Sequence, residues 1–497
     1  MNSSNNNPVS HFLSSFLNET GGNEKDTSQS FTSFTDSFSA EGFAANIWTS
    51  DRHRLLKKRK KRSPPSYTPE DRCRSTFYRN YIEPASADVS TEESIRNEFS
   101  RKGKRFRLRF RVPYSIYEEI CLSIENEGYF VQGKCKNGWP KVMLELLVLA
   151  SLRLLASGCT FDFVEECTNV SVCTIRDFFQ KKFCRWGREL SRKLVKMPET
   201  EEEVRHVVGL YERIGLPGCV GLVDCVHLTW DKCPAGLLSK CKGKEQHATL
   251  AFQAVVSHTH KILSLSQFFA GATNDKSIAR YNLAIHQVRT KSKAFVELEW
   301  GVFDQDGTER REVGAYYICD GGYHWWPQLI APYKMQIAGS KMERWSANLE
   351  SARKDVECTF GILKKRFLFL KNPIEIHLPE RIEDAFHTCA ALHNWLHEYD
   401  GYDDWEGRAG VITEDDIMQE YDPCNEHNRT YSCLSIYYGF DGNFTRSQAR
   451  RENPTAYSDD NEYELESERE QYENRRLLLI EHYSLMEKNK TIQCRLR

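Results

Sequence analysis

The sequence predicts an α/β fold preceded by an all-α N-terminal domain, and three observations carry that prediction. Apolar residues between positions 140 and 195 recur at helical spacing, punctuated by Pro140 and Gly158. From about residue 219 the pattern changes to runs rich in β-branched and aromatic residues, such as GCVGLVDCVHLTW, HATLAFQAVVSHT and KILSLSQFFAG. Helical patterns return near residue 343, and strands followed by helices indicate an α/β domain.

The elements follow in chain order. Residues 1–50 are rich in Ser, Asn, Thr and Phe with few aliphatics, and read as disordered. LLKKRKKRSPPS follows, with six consecutive basic residues at 57–62. An exposed run of this kind reads as a nuclear localisation signal, the alternative being a solvated basic linker. Residues 101–111, RKGKRFRLRFR, alternate basic and apolar side chains. Extended, that segment would show one apolar and one basic face, suited to DNA phosphates or to an ordinary edge strand. KVMLELLVLASLRLLAS reads as a helix starting at Pro140 and ending at Gly158. A short helix at 161–167 and a third, capped by Ser171, permit a helix-turn-helix or a plain bundle.

Beyond the three strand-like runs, DQDGTERRE reads as a polar loop, and AYYICDGGY as a strand ending in a Gly-Gly turn. A long helix covers roughly residues 343–367, with Val356, Phe360, Leu363 and Phe367 on one stripe. RIEDAFHTCAALHNWLHEY is a further helix, and a charged helix carrying LLLI ends a polar, acidic C-terminal region. The resulting division is 1–100 disordered with a basic cluster, 101–215 helical, 216–400 α/β, and 401–497 an acidic, partly helical tail.

Composition narrows the function classes. Net charge over 497 residues is only −2, so charge acts locally and not as a global polyelectrolyte. No apolar run reaches the roughly 18 residues of a membrane span, and no membrane partner is expected. The seventeen cysteines include no CxxC pair and lie mostly in apolar contexts, as buried, reduced thiols do. Cys225, Cys233 and Cys241 near His227 match no zinc-ligand spacing.

The chemistry rests on three acidic residues in otherwise apolar segments: Asp224 in GCVGLVDCVHLTW, Asp320 in AYYICDGGY and Glu357 in ARKDVECTFGILKKRF. Asp is poorly suited to a strand interior, and burying an unpaired carboxylate is costly. Hard divalent cations with oxygen ligands are the economical compensation. Two such ions roughly 4 Å apart clamp the attacking and leaving oxygens of a phosphodiester, which points to a nuclease or transposase. Plainer readings exist. Asp320 could be a turn residue before Gly321 and Gly322, and Glu357 a helix-surface partner of Arg353. Asp224, with its strand-like apolar flanks, resists such an account.

These motifs resemble the transposases of the PIF/Harbinger group, a DDE-type superfamily with an RNase H-like core. GLVDCVHLTWDKCP, GATND, ICDGGY, ARKDVECTFGILKKRF and CAALHNWLHE occur in the family's order. The resemblance implies that Asp224, Asp320 and Glu357 are a catalytic triad holding Mg2+ or Mn2+. It adds Asp275 as a fourth acidic residue of the metal site, against a plain helix N-cap or loop role. It also implies a DNA substrate and a Myb-like partner protein; the nuclear location is expected from the basic run at 57–62, and a homo-oligomer is left open. His227 is then a support for Asp224 or a core histidine, and His393 and Asn394 are structural. Lys364, Lys365 and Arg366 offer backbone contacts to DNA or a solvated helix face. The competing reading is a domesticated transposase that binds DNA or protein without cutting.

Overall fold

The computed structural model describes residues 67–86, 94–135, 138–243, 246–304, 306–334, 337–401 and 466–492. The expected disordered segment, the basic run at 57–62 and most of the acidic tail lie outside them. Of the two units into which the chain divides, Pro64–Arg497 contains all the described residues. None of the described helices is long and apolar enough to cross a membrane.

The segment expected to be extended is a helix, α1 (Arg101–Phe110). Ser100 Oγ accepts the Gly103 N–H at 2.8 Å, and Gly103, Phe106 and Phe110 recur at helical spacing on the buried face. Phe106 and Phe110 pack against Tyr81, and Phe106 against Tyr114 and Tyr117. A basic-apolar alternation suits either element, and this aromatic cluster decides it. Arg101, Lys102, Lys104 and Arg105 remain exposed, while Arg107 pairs with Glu98 and Asp400.

Three further helices follow: α2 (Tyr114–Asn126), α3 (Leu144–Ser157) and α4 (Phe161–Thr168). Helix α3 starts after the expected Pro140, which instead bridges to Lys134. Gly158 ends α3 in the left-handed region at φ 57°. Helix α5 (Val172–Phe178) runs through a π-turn, Phe179–Phe183, into α6 (Cys184–Leu194). The Ser171 hydroxyl does not cap α5: it lies 2.9 Å from Thr174 Oγ1, and Glu165 accepts the Val172 N–H instead. Helix α7 (Glu201–Glu212) opens with a Thr200/Glu203 capping box.

The sheet is mixed. Strands β1 (Cys219–Thr229), β2 (Thr249–Val256) and β3 (Ile262–Leu265) pair antiparallel in sequence, with β4 (Phe269–Ala270) also on β2. The polar segment expected as a loop is a turn only in its first part; from Glu309 it pairs in a hairpin, β5 (Glu299–Phe303) with β6 (Glu309–Val313). The turn is closed by Gly307 at φ 77°, and cross-strand pairing tolerates the charged residues because this hairpin is largely exposed. Strand β7 (Tyr316–Ile318) then joins β1 in parallel, and β8 (Leu329–Ile330) joins β7 in parallel. The main order is therefore β3-β2-β1-β7-β8.

Apart from short helical turns of four or five residues, the remaining described α-helices are α8 (Asp275–Tyr281), α9 (Lys341–Arg366), α10 (Pro379–Tyr399) and α11 (Glu466–Lys488). Val356, Leu363 and Phe367 of the expected α9 stripe are fully buried, and Phe360 nearly so. Helices α6 and α10 meet closely at Gly187, where an added Cβ would come within 2.2 Å of Thr388 Oγ1. Arg188 pairs with Glu383, and Asn394 Nδ2 donates to the Leu194 carbonyl. The helical layer and the sheet-bearing half thus share one core. Helix α11 is docked through Lys341–Glu481 and Arg344–Glu487 ion pairs, and Arg476 stacks on Tyr333 at 3.3 Å from the ring centroid.

Candidate active site

Strand pairing brings two of the acidic residues side by side. Leu222 of β1 is in register with Ile318 of β7, and Asp224 and Asp320 each lie two residues further along these parallel neighbours. Side chains two apart share a face, and paired strands run about 4.8 Å apart. Asp320 begins a turn in which its Oδ1 accepts the Gly322 N–H at 2.8 Å. A Cβ on Gly322 would sit 2.9 Å from the same oxygen, so glycine is what lets the carboxylate fold over its own turn.

The Asp224 side chain retains 20 % of its exposure. Burial nevertheless pushes its carboxyl up to about 7. The Cys225 N–H, 2.8 Å from Oδ1, and Arg353 oppose that rise, while Asp320 and Asp275 add to it. Asp275 is the first residue of α8, and the N-cap is the preceding Asn274, whose side chain accepts the Ser277 N–H. Ile278 of α8 packs on Ala251 and Phe269, beside Cys225. The Cys225 thiol is pushed well up, by burial first and by Asp275 next.

Glu357 reaches the group through α9. Arg353 Nη1 lies 2.8 Å from Glu357 Oε1 and 3.5 Å from Asp224 Oδ2. Its Nε donates to Glu350 Oε2 at 3.1 Å. Burial works against the guanidinium charge, but Glu350, Glu357 and Asp224 outweigh it and hold the Arg353 pKa up. Both readings of Glu357 thus meet in one geometry: it is the helix partner of Arg353, and through Arg353 it is tied to Asp224. Among the described residues, no three His, Cys, Asp or Glu side chains are gathered so as to hold a metal ion. The donor set is nevertheless all carboxylate oxygen, which suits a hard divalent cation, and its central positive charge is a guanidinium.

A buried polar framework supports the acids. Gln253 Nε2 donates to Tyr323 Oη at 2.9 Å, and Asn282 Nδ2 donates to Gln253 Oε1 at 2.7 Å. Tyr323 Oη also lies 3.6 Å from Cys225 Sγ. This chain links β2, the turn after Asp320 and the end of α8. Asp355, two residues before Glu357, lies 2.8 Å from His258 Nδ1, and Thr359 Oγ1 lies 2.9 Å from His260 Nδ1. These contacts anchor α9 to the β2–β3 turn. Desolvation lowers His260 to about 4, so it is a neutral fastener at physiological pH.

The other candidates fall away from the site. His227 lies on the β1 face opposite Asp224 and pairs with Thr249 Oγ1 at 3.1 Å, so it does not support Asp224; strand alternation decides this. Trp230 is buried and donates to the Ile376 carbonyl. Asn394 clamps Ile262 through both its N–H and carbonyl, and His393 contacts the His260 carbonyl, both as structural residues. Of the basic trio on α9, Arg366 is buried against His393 and Lys364 donates to the His227 carbonyl. Only Lys365 is exposed. Burial takes Arg366 out of both the DNA-contact and the solvated-face readings, while Lys364 is half-buried. Arg353 was visible in the sequence only as a partner of Glu357; its contact to Asp224 depends on how α9 crosses β1. Tyr323, Gln253 and Asn282 carry no motif that marks them.

Residues 192–404 match the family described as plant transposon protein. The chain is also similar to Protein ALP1-like of Arabidopsis thaliana, 21 % identical over 295 residues, which is 59 % of this chain and 70 % of that protein. No solved structure matches. Together the two matches support a relationship to transposase-derived proteins without singling out the PIF/Harbinger group.

Proposed function

We propose that this protein is a metal-dependent DNA endonuclease or transposase of the PIF/Harbinger type, cutting and joining DNA by phosphoryl transfer on an RNase H-like core. The carrying observation is the adjacency of Asp224 on β1 and Asp320 just past the end of its parallel neighbour β7, with Glu357 joined to Asp224 through Arg353. The mixed sheet with α9 and α10 supports the RNase H-like reading, and the plant transposon protein match supports the substrate class.

In this reading Asp224, Asp320 and Glu357 would hold Mg2+ or Mn2+, with Asp275 at the rim. When bound, such ions activate the attacking hydroxyl and stabilise the leaving 3′-oxygen. The chain's own part is positioning. The Tyr323–Gln253–Asn282 chain fixes the turn carrying Asp320. The His258–Asp355 contact fixes the helix carrying Glu357. Rigid placement of this kind supplies much of the catalysis in phosphoryl transfer. The exposed basic residues of α1, with Lys365, are assigned to the DNA backbone, where lysine and arginine release counterions. Nuclear import through residues 57–62, a Myb-like partner for DNA recognition and a homo-oligomeric assembly complete the proposal.

A second reading is favoured by one observation. Arg353 pairs with both Asp224 and Glu357, so side-chain charge alone balances these acids, an arrangement that a domesticated factor binding DNA or protein without cutting could also keep. A cleavage assay on DNA carrying the flanking element ends, with Mg2+ or Mn2+, separates the two. Metal-dependent strand cleavage lost in Asp320→Asn supports the nuclease. Binding without cleavage in either metal supports the second reading.

A further inference from the structure

We propose that Arg353 is a built-in stand-in for the divalent cation, a guanidinium latch that holds the acidic site together without metal and withdraws to Glu350 when metal enters. The inference rests on the cation site proposed above and concerns how that site is filled.

Glu350, Arg353 and Glu357 are spaced three and four residues apart on α9, so they share one helix face. Arg353 stands in the middle and touches all of its neighbours: Glu357 at 2.8 Å, Glu350 at 3.1 Å and, across to β1, Asp224 at 3.5 Å. Its side chain is 16 % exposed, whereas those of Glu350 and Glu357 are 43 % and 51 % exposed. The guanidinium is therefore more buried than either of its helix partners, with Asp224 on its sheet side and Glu350 and Glu357 one turn before and one turn after it on α9.

The need for such a group follows from charge. Asp224 lies beside Asp320 through the β1–β7 register and shares Arg353 with Glu357, and like charges gathered in one site repel one another. A permanently charged, planar group with five N–H donors satisfies two carboxylates at once. It also lies where it must compete with a metal for the Asp224 and Glu357 oxygens. A bare competitor would oppose metal binding outright. Glu350 moderates this, because it already holds the guanidinium Nε and can keep the side chain paired once Asp224 and Glu357 turn to the metal. The metal's affinity is thus set by a balance between the two sides of one arginine.

The test is Mn2+ binding by the full-length chain, followed by the electron paramagnetic resonance of the free ion, for wild type, Arg353→Met, Glu350→Gln and the double variant. Near-UV circular dichroism checks that each remains folded, and methionine preserves much of the arginine stem's bulk. Arg353→Met is expected to tighten Mn2+ about tenfold, within the usual range of coupling between two sites. Glu350→Gln is expected to weaken it several-fold in the wild-type background and to do nothing in the Arg353→Met background. That loss of effect distinguishes a latch from the plain electrostatic field of Glu350, which would persist in the double variant. Equal Mn2+ affinity in wild type and Arg353→Met overturns the latch and leaves the proposed nuclease standing. So does a Glu350→Gln effect unchanged by Arg353→Met. Absence of Mn2+ binding in all four proteins overturns the latch together with the cation site.

Discussion

Replacing Asp224 by Asn should stabilise the metal-free protein at alkaline pH while abolishing its chemistry. Burial, helped by Asp320 and Asp275, raises the Asp224 carboxyl from 3.8 to about 7. The sign follows from proton counting. Between these two values the folded chain holds a proton that the unfolded chain has released, so stability falls as pH rises through the window, and the whole deficit is present above pH 7. Three pH units at about 1.36 kcal/mol each set a ceiling of ~4 kcal/mol. Residual exposure and the weakened contact to Arg353 reduce the expected gain to ~2 kcal/mol. Asn keeps an oxygen to accept the Cys225 N–H and cannot ionise. Urea unfolding in the presence of a chelator, from about pH 3.5 to 8.5, should show Asp224→Asn nearly level with wild type at the acid end, ahead by about a third of that margin at pH 5, and ahead by the full margin at pH 8. The wild-type curve should slope downwards and the variant's should be flatter. Added Mg2+ should raise wild-type stability at pH 8, since it binds the folded state, and leave Asp224→Asn unmoved. A variant less stable than wild type at pH 8, or one with the same pH slope, refutes the argument that Asp224 is held ionised against burial and neighbouring acids.

Glu357→Gln should lower the cleavage rate about a thousandfold or more, as loss of several kcal/mol of charge stabilisation implies, with an unfolding midpoint close to wild type because the side chain is half exposed; single-turnover cleavage measures it. Arg476→Ala should destabilise by about 2 kcal/mol or more, because a desolvated guanidinium stacked on Tyr333 and Tyr472 is lost from the α11 seam; chemical denaturation reports it. Gly187→Ala should cost ~1–3 kcal/mol by forcing α6 off Thr388 of α10, read by the same method. Neutralising Arg101, Lys102, Lys104 and Arg105 should weaken DNA binding at all sequences and flatten the salt dependence by about 0.9 per lost contact, whereas an unchanged slope assigns α1 to the fold alone. Alanine replacement of residues 57–62 should move a fluorescent fusion from nucleus to cytoplasm.

Much of the α/β architecture was legible because hydrophobic period and punctuation are local properties. Strand β1, the stripe of α9 and the glycine that ends α3 all follow from neighbours in the chain. Where a pattern satisfied two elements, the sequence did not choose. The basic-apolar alternation of α1 suits a strand as well as a helix, and only the packing of Phe106 and Phe110 on Tyr81 selects the helix. The charged β6 segment reads as loop because its partner β5 supplies the pairing, and pairing is not encoded in the segment itself.

The same division runs through the candidate site. By itself the sequence singled out Asp224, Asp320 and Glu357 as acids in apolar segments; the structure buries Asp224 enough to raise its carboxyl and leaves Glu357 half exposed. Tertiary structure decided which charge stands among them. The register of Leu222 with Ile318 sets Asp224 beside Asp320, and the crossing of α9 over β1 puts Arg353 within reach of both Asp224 and Glu357. The Arg353–Glu357 spacing is visible along the chain because helical neighbours are local. The Arg353–Asp224 contact spans 129 positions, and a contact of that range exists only once the sheet and helix have packed.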